Sequence, residues 1–429
     1  MRKRLLLTLL AGDLAALGGA LVIASTVVFG SPMFWRADIP AGDSIWPLVS
    51  MLAGGTLVAS YVSMRLWAVA LPRPSYGRAL TIVGTSLLLT SVGILLTRSY
   101  FSRPLLGVTG LVWLFGALAH RLVWRIQRPW METMVLVTAE KSLAIDLDEA
   151  EHSNVLAVYD PSALPPSEPL PDKTILVVDL RSVLSDPMAQ WVSSCNLAGT
   201  PTRSLTSVYE EHTGRLAMVH LAEGWEVSQP VSRNADYAYL KRLGDFVLTV
   251  ATAPLWLTVG GLIWLAIRID SPGPAIFRQK RVGRGGHLFT LYKFRTMVQD
   301  AEQHGPQFTT QDDERLTRVG RWLRRSRIDE IPQLWNVVKG DLSLVGPRPE
   351  QKEFVDRFSG TIPFYAYRHL VRPGVTGWSQ INYGYADDLA DTVDKLTYDL
   401  YYLKHMSPWL DLRILGSSVW TVLSGFGAQ

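Results

Sequence analysis

The sequence has very little cysteine: Cys195 is the single one in 429 residues. One thiol excludes a disulfide within the chain and a metal site built from several cysteines. This cysteine usage fits a reducing compartment.

Charged residues are also scarce, at 19% of the chain against roughly 25% in ordinary soluble domains. Hydrophobic residues make up 48%, and the mean hydropathy is +0.14. Much of this apolar content lies in four runs near the ~20 residues needed to cross a bilayer. The runs lie at about 5–29, 46–71, 79–97 and 104–124. They predict a four-helix transmembrane region over residues 1–128.

Acidic residues are rare in this first region, and basic residues gather at its two ends. Arg2, Lys3 and Arg4 precede the first run, and Arg125 and Arg128 follow the fourth. Because Lys and Arg are enriched in cytoplasmic loops, this bias predicts that both ends of the bundle face the cytoplasm.

Residues 129–236 reverse the charge balance, with an excess of acidic side chains, and predict a small α/β domain. "METMVLVTA" and "KTILVVDL" are apolar, β-branched runs typical of buried parallel strands, and "VLAVYD" is a candidate third strand. A dinucleotide-binding domain needs a glycine-rich turn after its first strand. Here that turn reads "VTAEKSLA", without glycine. We therefore expect a Rossmann-like α/β domain without the glycine loop, acting as a structural or interaction module.

A fifth apolar run, at 246–267, has basic residues at both ends. Lys241 and Arg242 precede it, and Arg268 follows. Basic flanks on both sides favour a segment that enters and leaves the membrane on one face, and Pro254 would supply the bend. A re-entrant helix is the expected structure, and a kinked fifth span is the alternative.

The last region is rich in Lys and Arg, interleaved with glycine and aromatic residues between about 278 and 348. Such a basic cluster beside a membrane segment indicates phosphate-bearing partners, either lipid headgroups or nucleotides. The adjacent apolar run and the scattered acidic residues argue against nucleic acid.

Two adjacent carboxylates, Asp329 and Glu330, lie within this basic region. Pro332 and Gly340 are placed to begin and end a helix, with Leu334, Trp335 and Val338 expected on its buried face.

The nearby arginines and the helix N-terminus are expected to favour the ionised form of both carboxylates. An ionised aspartate can attack phosphorus, and an adjacent glutamate can hold Mg²⁺. The alternative is a simple capping box formed by Ser326 and Asp329.

The motifs "KFRTM", "RIDEIPQLWNVVKGDLSLVGPRPE" and "RPGVTGWSQIN", in this order after an apolar run, closely resemble the bacterial sugar transferases. These are monotopic phosphoglycosyl transferases, and the resemblance covers about residues 237–429. The preceding spans and α/β domain look like the long form of that family. The resemblance implies an α-rich monotopic catalytic domain with a re-entrant membrane helix at about 246–267. It follows the four-span bundle (1–128) and the α/β domain (129–236).

The resemblance also implies roles for individual residues. Asp329 matches the family's nucleophile, and Glu330 its Mg²⁺-associated partner. Arg348 in "GPRPE" matches an arginine that meets the phosphate. The remaining matches are phosphate- or substrate-binding candidates and the bend of the re-entrant helix: Lys293, Arg295, Arg372 and Pro254.

The implied activity is transfer of hexose 1-phosphate from a UDP-hexose to undecaprenyl phosphate, releasing UMP through an aspartyl phosphosugar. Such a step begins exopolysaccharide, capsule or O-antigen synthesis. The implied place is the inner membrane, with the lipid bilayer as partner, the active site on the cytoplasmic face and Mg²⁺ as cofactor. A homodimer is left open.

Two other functions stay open at this point. A non-catalytic membrane scaffold or regulator of polysaccharide assembly would not depend on Asp329. An NAD-dependent enzyme acting on nucleotide sugars is disfavoured by the missing glycine loop.

Overall fold

The computed structural model describes residues 2–33, 45–66, 76–97, 102–127, 131–221, 235–298, 315–383 and 389–424. The chain forms two compact units, Met1–Met131 and Glu132–Gln429.

The first unit consists of long apolar helices. They are α1 (Arg2–Phe29), α2 (Trp46–Leu66), α3 (Tyr76–Thr97) and α4 (Arg103–Gln127). Helix α1 packs along α4, and α2 packs along α3. A helix therefore forms at each of the four predicted runs, although residues 67–71 of the second run lie outside the described part.

Three of these helices contain stretches long and apolar enough to cross a membrane, within α1, α3 and α4. The apolar part of α2, Trp46–Val62, is shorter. In the described residues, the fourth stretch that meets this criterion lies in the second unit, at Ala253–Asp270.

A buried ion pair joins α1 to α4. Arg121 donates to both carboxylate oxygens of Asp13, with Nη1–Oδ1 at 2.5 Å and Nη2–Oδ2 at 2.7 Å. The Trp113 indole donates to the backbone carbonyl of Asp13 at 3.0 Å. Both charges are almost fully buried, so each offsets the cost of desolvating the other.

The second unit begins with a four-stranded parallel sheet of order β2-β1-β3-β4. The strands are β1 (Glu132–Val137), β2 (Ser153–Tyr159), β3 (Ile175–Val178) and β4 (Thr202–Ser204). The three predicted strands are confirmed as parallel neighbours, with β1 between the other two. The short β4 has no apolar pattern and was not predicted. This order differs from the 3-2-1-4 order of the classic dinucleotide-binding fold. The sheet therefore does not confirm the prediction that this domain is Rossmann-like.

Helices cover both faces of this sheet. They are α5 (Lys141–Asp148), α6 (Asp186–Leu197) and α7 (Leu205–Thr213). Alternate residues of β1 divide between the two cores: Met134 and Leu136 pack with α5 and α7, and Val135 and Val137 pack with α6. Burial on both faces explains why β1 is apolar throughout.

The rest of the second unit is mainly helical. Its helices are α8 (Ala235–Ala251), α9 (Ala253–Asp270), α10 (Arg318–Arg325), α11 (Gln333–Lys339), α12 (Lys352–Ser359), α13 (Trp378–Asn382), α14 (Leu389–His405) and α15 (Pro408–Ser424). Strands β5 (Ile276–Val282) and β6 (Leu288–Phe294) form an antiparallel hairpin, and β7 (Ser343–Val345) pairs in parallel with β8 (Gly374–Thr376).

The fifth apolar run is divided between α8 and α9. The helix breaks at Thr252, two residues before Pro254, which lies in the first turn of α9. Proline is tolerated in a first turn because its missing N–H has no helical partner there. The Trp256 indole donates to the carbonyl of Thr249 across the break, at 3.0 Å.

Both outer ends of this helix pair pack on the same body. Near the start of α8, Arg242 donates to the carbonyls of Val337 and Val338. At the end of α9, the Asp270 carboxylate accepts from the backbone N–H of Val319 at 3.2 Å. Apolar side chains on both sides of the break are exposed, including Leu248, Leu255 and Leu257.

Candidate active site

The two carboxylates lie in a short 3₁₀ turn, Ile328–Glu330, between α10 and α11. Arg327 precedes this turn with φ +54°, a left-handed conformation that is uncommon for a residue other than glycine. Ser326 ends α10, and its hydroxyl donates to the carbonyls of Trp322 and Leu323. The capping-box alternative is therefore wrong, because the Ser326 side chain serves the preceding helix.

Helix α11 begins directly after the turn, with Pro332 as its N-cap, and ends at Gly340 with φ +91°. The helix start lies one residue later than expected, and the glycine stop is confirmed. Trp335 is exposed, so its predicted place on the buried face is wrong.

The buried face of α11 contains Gln333, Asn336 and Val337 instead, with Leu334 and Val338 half-buried. Asn336 lies on the buried face because its side chain hydrogen-bonds to backbone groups of β6. Its amide accepts from Tyr292 N–H at 3.2 Å and donates to the Thr290 carbonyl at 2.7 Å.

Glu330 is paired with two cations from other elements. Lys293, on β6, approaches Oε1 at 3.3 Å, and Arg348 donates to the same oxygen at 2.8 Å. Both of these contacts are made to Oε1. The hairpin strand and the loop after β7 are thus joined at this carboxylate.

The adjacent carboxylates have opposite pKa shifts. Burial is the largest influence on Asp329 and, with the neighbouring charge of Glu330, raises its pKa to about 6. Burial also acts to raise the pKa of Glu330, but Arg348 and Lys293 outweigh it and lower the value to about 2. The arginines favour ionisation of both groups, as expected, but at Asp329 desolvation and the Glu330 charge outweigh them. Glu330 is fixed as an anion, and Asp329 titrates near pH 6.

The same surroundings act on the basic partner Lys293. Burial lowers the pKa of its ammonium, and the Glu330 carboxylate acts in the opposite direction. Arg324, at the end of α10, favours the ionised form of Asp329 through its charge.

Helix α10 packs closely against the "KFRTM" segment at a glycine. A Cβ at Gly320 would lie 1.9 Å from the carbonyl oxygen of Thr296, so only glycine permits this approach. Arg324 Nε donates to the Thr296 hydroxyl at 2.9 Å, and the Thr317 N–H donates to the Thr296 carbonyl at 3.0 Å.

The loop that carries Arg348 is fixed by close backbone packing between two of the motifs. A Cβ at Gly374 would lie 2.1 Å from the backbone nitrogen of Gly346, and one at Gly377 would lie 2.3 Å from its carbonyl oxygen. The Gly346 N–H donates to the Thr376 carbonyl at 2.9 Å. These contacts explain why "GPRP" and "RPGVTGW" both carry glycine.

Residues that the sequence did not single out support the same loop. Arg368 is buried, donates to the Arg348 carbonyl at 3.0 Å, and pairs with the Asp399 carboxylate at 2.8 Å. Glu350 pairs with Arg281 at 3.6 Å and with Lys395 at 3.4 Å. Burial acts to raise the pKa of Glu350, but Lys395 and Arg368 outweigh it and lower the value to about 2. The partners are distant in sequence, so no local pattern could have identified them.

Two of the candidate basic residues have their described contacts elsewhere. Arg295 is buried and donates twice to Ser271, after α9, at 2.8 Å. Arg372 donates to the carbonyl of Gly340 at 3.1 Å, at the far end of α11 from the carboxylates. A cation there complements the helix C-terminus.

The chemistry of the site fits a divalent cation held jointly with a ligand. Mg²⁺ is commonly bound by one or two carboxylates together with substrate phosphates. Asp329 and Glu330 supply carboxylate oxygens, and Lys293 and Arg348 both contact Oε1 of Glu330. In the described residues, no group of three or more His, Cys, Asp or Glu side chains forms a metal cage of its own.

Known proteins are similar in sequence to the part of the chain that contains the site. A family model described as "Bacterial sugar transferase" matches residues 236–425, which contain every element of the site. A UDP-N-acetylgalactosamine-undecaprenyl-phosphate N-acetylgalactosaminephosphotransferase of Aeromonas hydrophila is 45% identical over 260 residues, 59% of this chain and 60% of that protein. This match covers more of the chain than the family model does.

Two UDP-glucose:undecaprenyl-phosphate glucose-1-phosphate transferases are also similar. The protein of Xanthomonas campestris is 38% identical over 209 residues, 48% of this chain and 42% of that protein. The protein of Caulobacter vibrioides is 43% identical over 192 residues, 43% of this chain and 70% of that protein. The chain thus spans less than two thirds of the first two relatives but more than two thirds of the third. With this similarity and the family match, the chain belongs to the bacterial sugar transferase family.

Proposed function

We propose that this protein transfers a hexose 1-phosphate from a UDP-sugar to undecaprenyl phosphate and releases UMP. The observation that carries the proposal is that the two adjacent carboxylates have different ion pairing and different pKa values. Lys293 and Arg348 hold Glu330 as an anion, and Asp329 has a pKa near 6. The names of the relatives, which combine UDP-sugars with undecaprenyl phosphate, support the choice of substrates.

In the first step, a carboxylate oxygen of Asp329 attacks the phosphorus that carries the sugar. The bond from this phosphorus to the bridging oxygen breaks, UMP leaves with that oxygen, and an aspartyl phosphosugar forms. Near neutral pH, Asp329 is largely ionised and ready to attack, because its pKa is about 6.

In the second step, a phosphate oxygen of the acceptor lipid attacks the same phosphorus. The acyl-phosphate bond breaks, Asp329 returns as a carboxylate, and the product is a lipid diphosphate sugar. Dividing the transfer in this way lets a water-soluble donor and a membrane acceptor use one nucleophile in turn.

The basic residues offset the repulsion between Asp329 and the anionic donor. Arg348 and Lys293 meet at Glu330, and Arg324 acts on Asp329 from α10. Fixed charges of this kind stabilise a transferring phosphoryl group without reorganisation. A divalent cation held by Glu330 and the donor phosphates would supply further charge neutralisation.

The α8–α9 pair is proposed as a re-entrant membrane hairpin that places the site at the cytoplasmic face of the inner membrane. Both ends of the pair pack on the catalytic body, and its middle exposes apolar side chains. UDP-sugars are cytoplasmic, so this placement brings both substrates to Asp329. The product would begin synthesis of a surface polysaccharide.

Cysteine labelling tests the hairpin. In a Cys195→Ser background, single cysteines are placed at the exposed positions Ser193 and Ser359, one before and one after the helix pair. An impermeant maleimide should label both only after the inner membrane is opened. Labelling of Ser359→Cys in intact spheroplasts, with Ser193→Cys protected, would show that the pair crosses the membrane.

Turnover by the purified full chain tests the activity. Undecaprenyl phosphate is offered with UDP-glucose, UDP-galactose or UDP-N-acetylgalactosamine, and UMP and lipid-linked sugar are measured together. One donor should give equal amounts of both products, and Asp329→Asn should give neither. Lipid-linked sugar formed by Asp329→Asn at the wild-type rate would overturn the proposal.

A further inference from the structure

An apolar groove of about 330 Å³ lies between α9 and α10. Arg318 is the charged residue among its lining side chains, which are Ile263, Ala266, Arg318, Val319, Trp322 and Leu323. A cavity with so few polar groups has little to hold ordered water. Its shape and surface suit an apolar ligand.

The groove opens beside a surface that is itself apolar. Helix α9 is long and apolar enough to cross a membrane, and its exposed side chains include Leu262, Leu265 and Ile269. Trp322, on the α10 side, is 58% exposed. Exposed tryptophan beside an apolar helix is typical of the boundary between lipid and water. A ligand would therefore enter the groove from the lipid.

The inner wall of the groove is shared with the carboxylate site. Leu323 is fully buried and packs in one cluster with Ile263 and Ile328. Ile328 immediately precedes Asp329, and Arg324, next to Leu323, favours the ionised form of Asp329. The apolar groove and the carboxylate site are thus adjacent, with Arg324 beside both.

We propose that this groove holds the first isoprene units of the polyprenyl-phosphate acceptor. The proposal rests on the proposed function and adds the place where the acceptor chain lies. Its basis is chemical complementarity. The ligand has an anionic phosphate and a branched apolar chain, and the groove is apolar, with Arg318 in its lining and Arg324 next to the lining residue Leu323. A volume of about 330 Å³ is at the lower end of the ~300–1,000 Å³ range of small-molecule sites. It would hold the units next to the phosphate and leave the remainder in the bilayer.

The groove does not suit the nucleotide donor. A uridine base and ribose require several hydrogen-bonding partners, whereas five of the six lining residues are Ile, Ala, Val, Trp and Leu. Filling the groove should therefore affect the acceptor step and leave the donor step intact.

A matched pair of substitutions on α9 tests this. Ala266→Phe fills the groove, and Leu265→Phe adds an aromatic ring at the neighbouring exposed position, outside the lining. Kinetics are measured on the full-length protein in mixed micelles, with the acceptor expressed as a mole fraction. We expect Ala266→Phe to raise the acceptor KM about tenfold or more. Leu265→Phe should stay near wild type, and both should keep the wild-type donor KM and rate of UMP release without acceptor.

Photolabelling of the unaltered protein decides the matter even if Ala266→Phe folds poorly. A polyprenyl phosphate with a diazirine on an isoprene unit close to the phosphate should label residues 263–266 or 318–323. Competition by undecaprenyl phosphate should reduce this labelling, and competition by a phosphatidylglycerol of similar chain content should not.

The outcomes separate this proposal from the proposed function. If the wild type releases no UMP with any donor, the proposed function fails. If UMP release is normal but both variants have equal acceptor KM, the groove proposal alone is overturned. Labelling confined to another segment, or equal competition by phosphatidylglycerol, would also overturn it.

Discussion

Asp329 and Glu330 are neighbours in sequence with different electrostatic surroundings. Two cations meet at Glu330, whereas burial and the adjacent anion dominate at Asp329. A carboxylate that is costly to keep charged is a better nucleophile than one stabilised by direct ion pairs. In the proposed mechanism, the pairing at Glu330 therefore leaves Asp329 as the nucleophile.

The raised pKa of Asp329 predicts a pH dependence for the first step. The attacking form is the carboxylate, so the rate of UMP release in a single turnover should be level above about pH 7 and fall as the pH drops through about 6. Rapid-quench measurement without acceptor avoids contributions from the second step. A rate that stays constant down to about pH 4 would contradict the assignment.

The same pKa values predict opposite effects on stability. Ionised Asp329 destabilises the fold above its pKa of about 6, because its pKa is raised from 3.8. Asp329→Asn should therefore raise Tm near neutral pH by a few degrees, and the gain should disappear as the pH falls toward 4.

Glu330→Gln is the matched comparison. The pKa of Glu330 is lowered from 4.5 to about 2, so its charge stabilises the fold above about 4.5, and this is lost as the pH falls toward 2. Its substitution should lower Tm near neutral pH, since Lys293 and Arg348 lose a shared partner. Thermal melts in detergent would count against the account if both variants shifted in the same direction.

At the scale of elements, the position of α10 depends on Gly320. Gly320→Ala would place a methyl group against the Thr296 carbonyl and move the helix that carries Arg324. We expect a loss of activity of at least about tenfold, together with a lower Tm.

Gly261→Ala is the control for this change, because a Cβ at Gly261 meets nothing within 4 Å. It should be neutral or slightly stabilising, since alanine favours a helix over glycine by up to about 1 kcal/mol. Equal turnover by the two alanine variants would show that the close approach at Gly320 is not needed.

Elements with strong local signals could be predicted from the sequence. Strands β1 and β3 are buried on both faces and therefore read as continuous apolar runs, and Gly340 ends α11 because glycine adopts a left-handed conformation readily. Arg327 adopts the same conformation without any such signal. The burial of Asn336 and exposure of Trp335 could not be foreseen, because the backbone of β6 determines which face of α11 turns inward.

The site itself could be predicted only in part. Local motifs brought forward the carboxylates and Arg348 as candidates, and the structure places Arg348 against Glu330. The charges that give Asp329 and Glu330 different surroundings arise from contacts between distant segments. Arg295 and Arg372 belong to recognisable motifs, yet their described contacts are with Ser271 and Gly340. Motif membership alone does not specify where a long basic side chain will point.

At the scale of the molecule, the α/β region packs against the helices behind the site. Glu210, on α7, pairs with Lys404 at 2.7 Å and with His405 at 2.8 Å, both on α14. The Trp378 indole donates to the Gly214 carbonyl at 2.6 Å. Helix α14 also carries Asp399, the partner of Arg368, which holds the Arg348 loop. This series of contacts connects the α/β region to the site.

Substitutions at two adjacent glutamates distinguish the effect of this connection from a change in the stability of the α/β region itself. Glu210→Gln weakens the pairing with α14, whereas Glu211→Gln weakens a pair with Arg203 inside the α/β region. We expect Glu210→Gln to lower the rate of UMP release several-fold and to make proteolysis of α14 easier. Glu211→Gln should change neither, and similar effects from both variants would contradict the connection.

The central claim is that Asp329 carries the sugar phosphate, and trapping that species tests it most directly. The full-length protein is incubated with its UDP-sugar donor and no acceptor, quenched, and measured by intact-protein and peptide mass spectrometry. The account predicts one sugar phosphate on Asp329, cleaved by hydroxylamine, discharged by added undecaprenyl phosphate, and absent in Asp329→Asn. Formation of lipid-linked sugar with no such adduct in a single turnover, or an adduct on another residue, would contradict it.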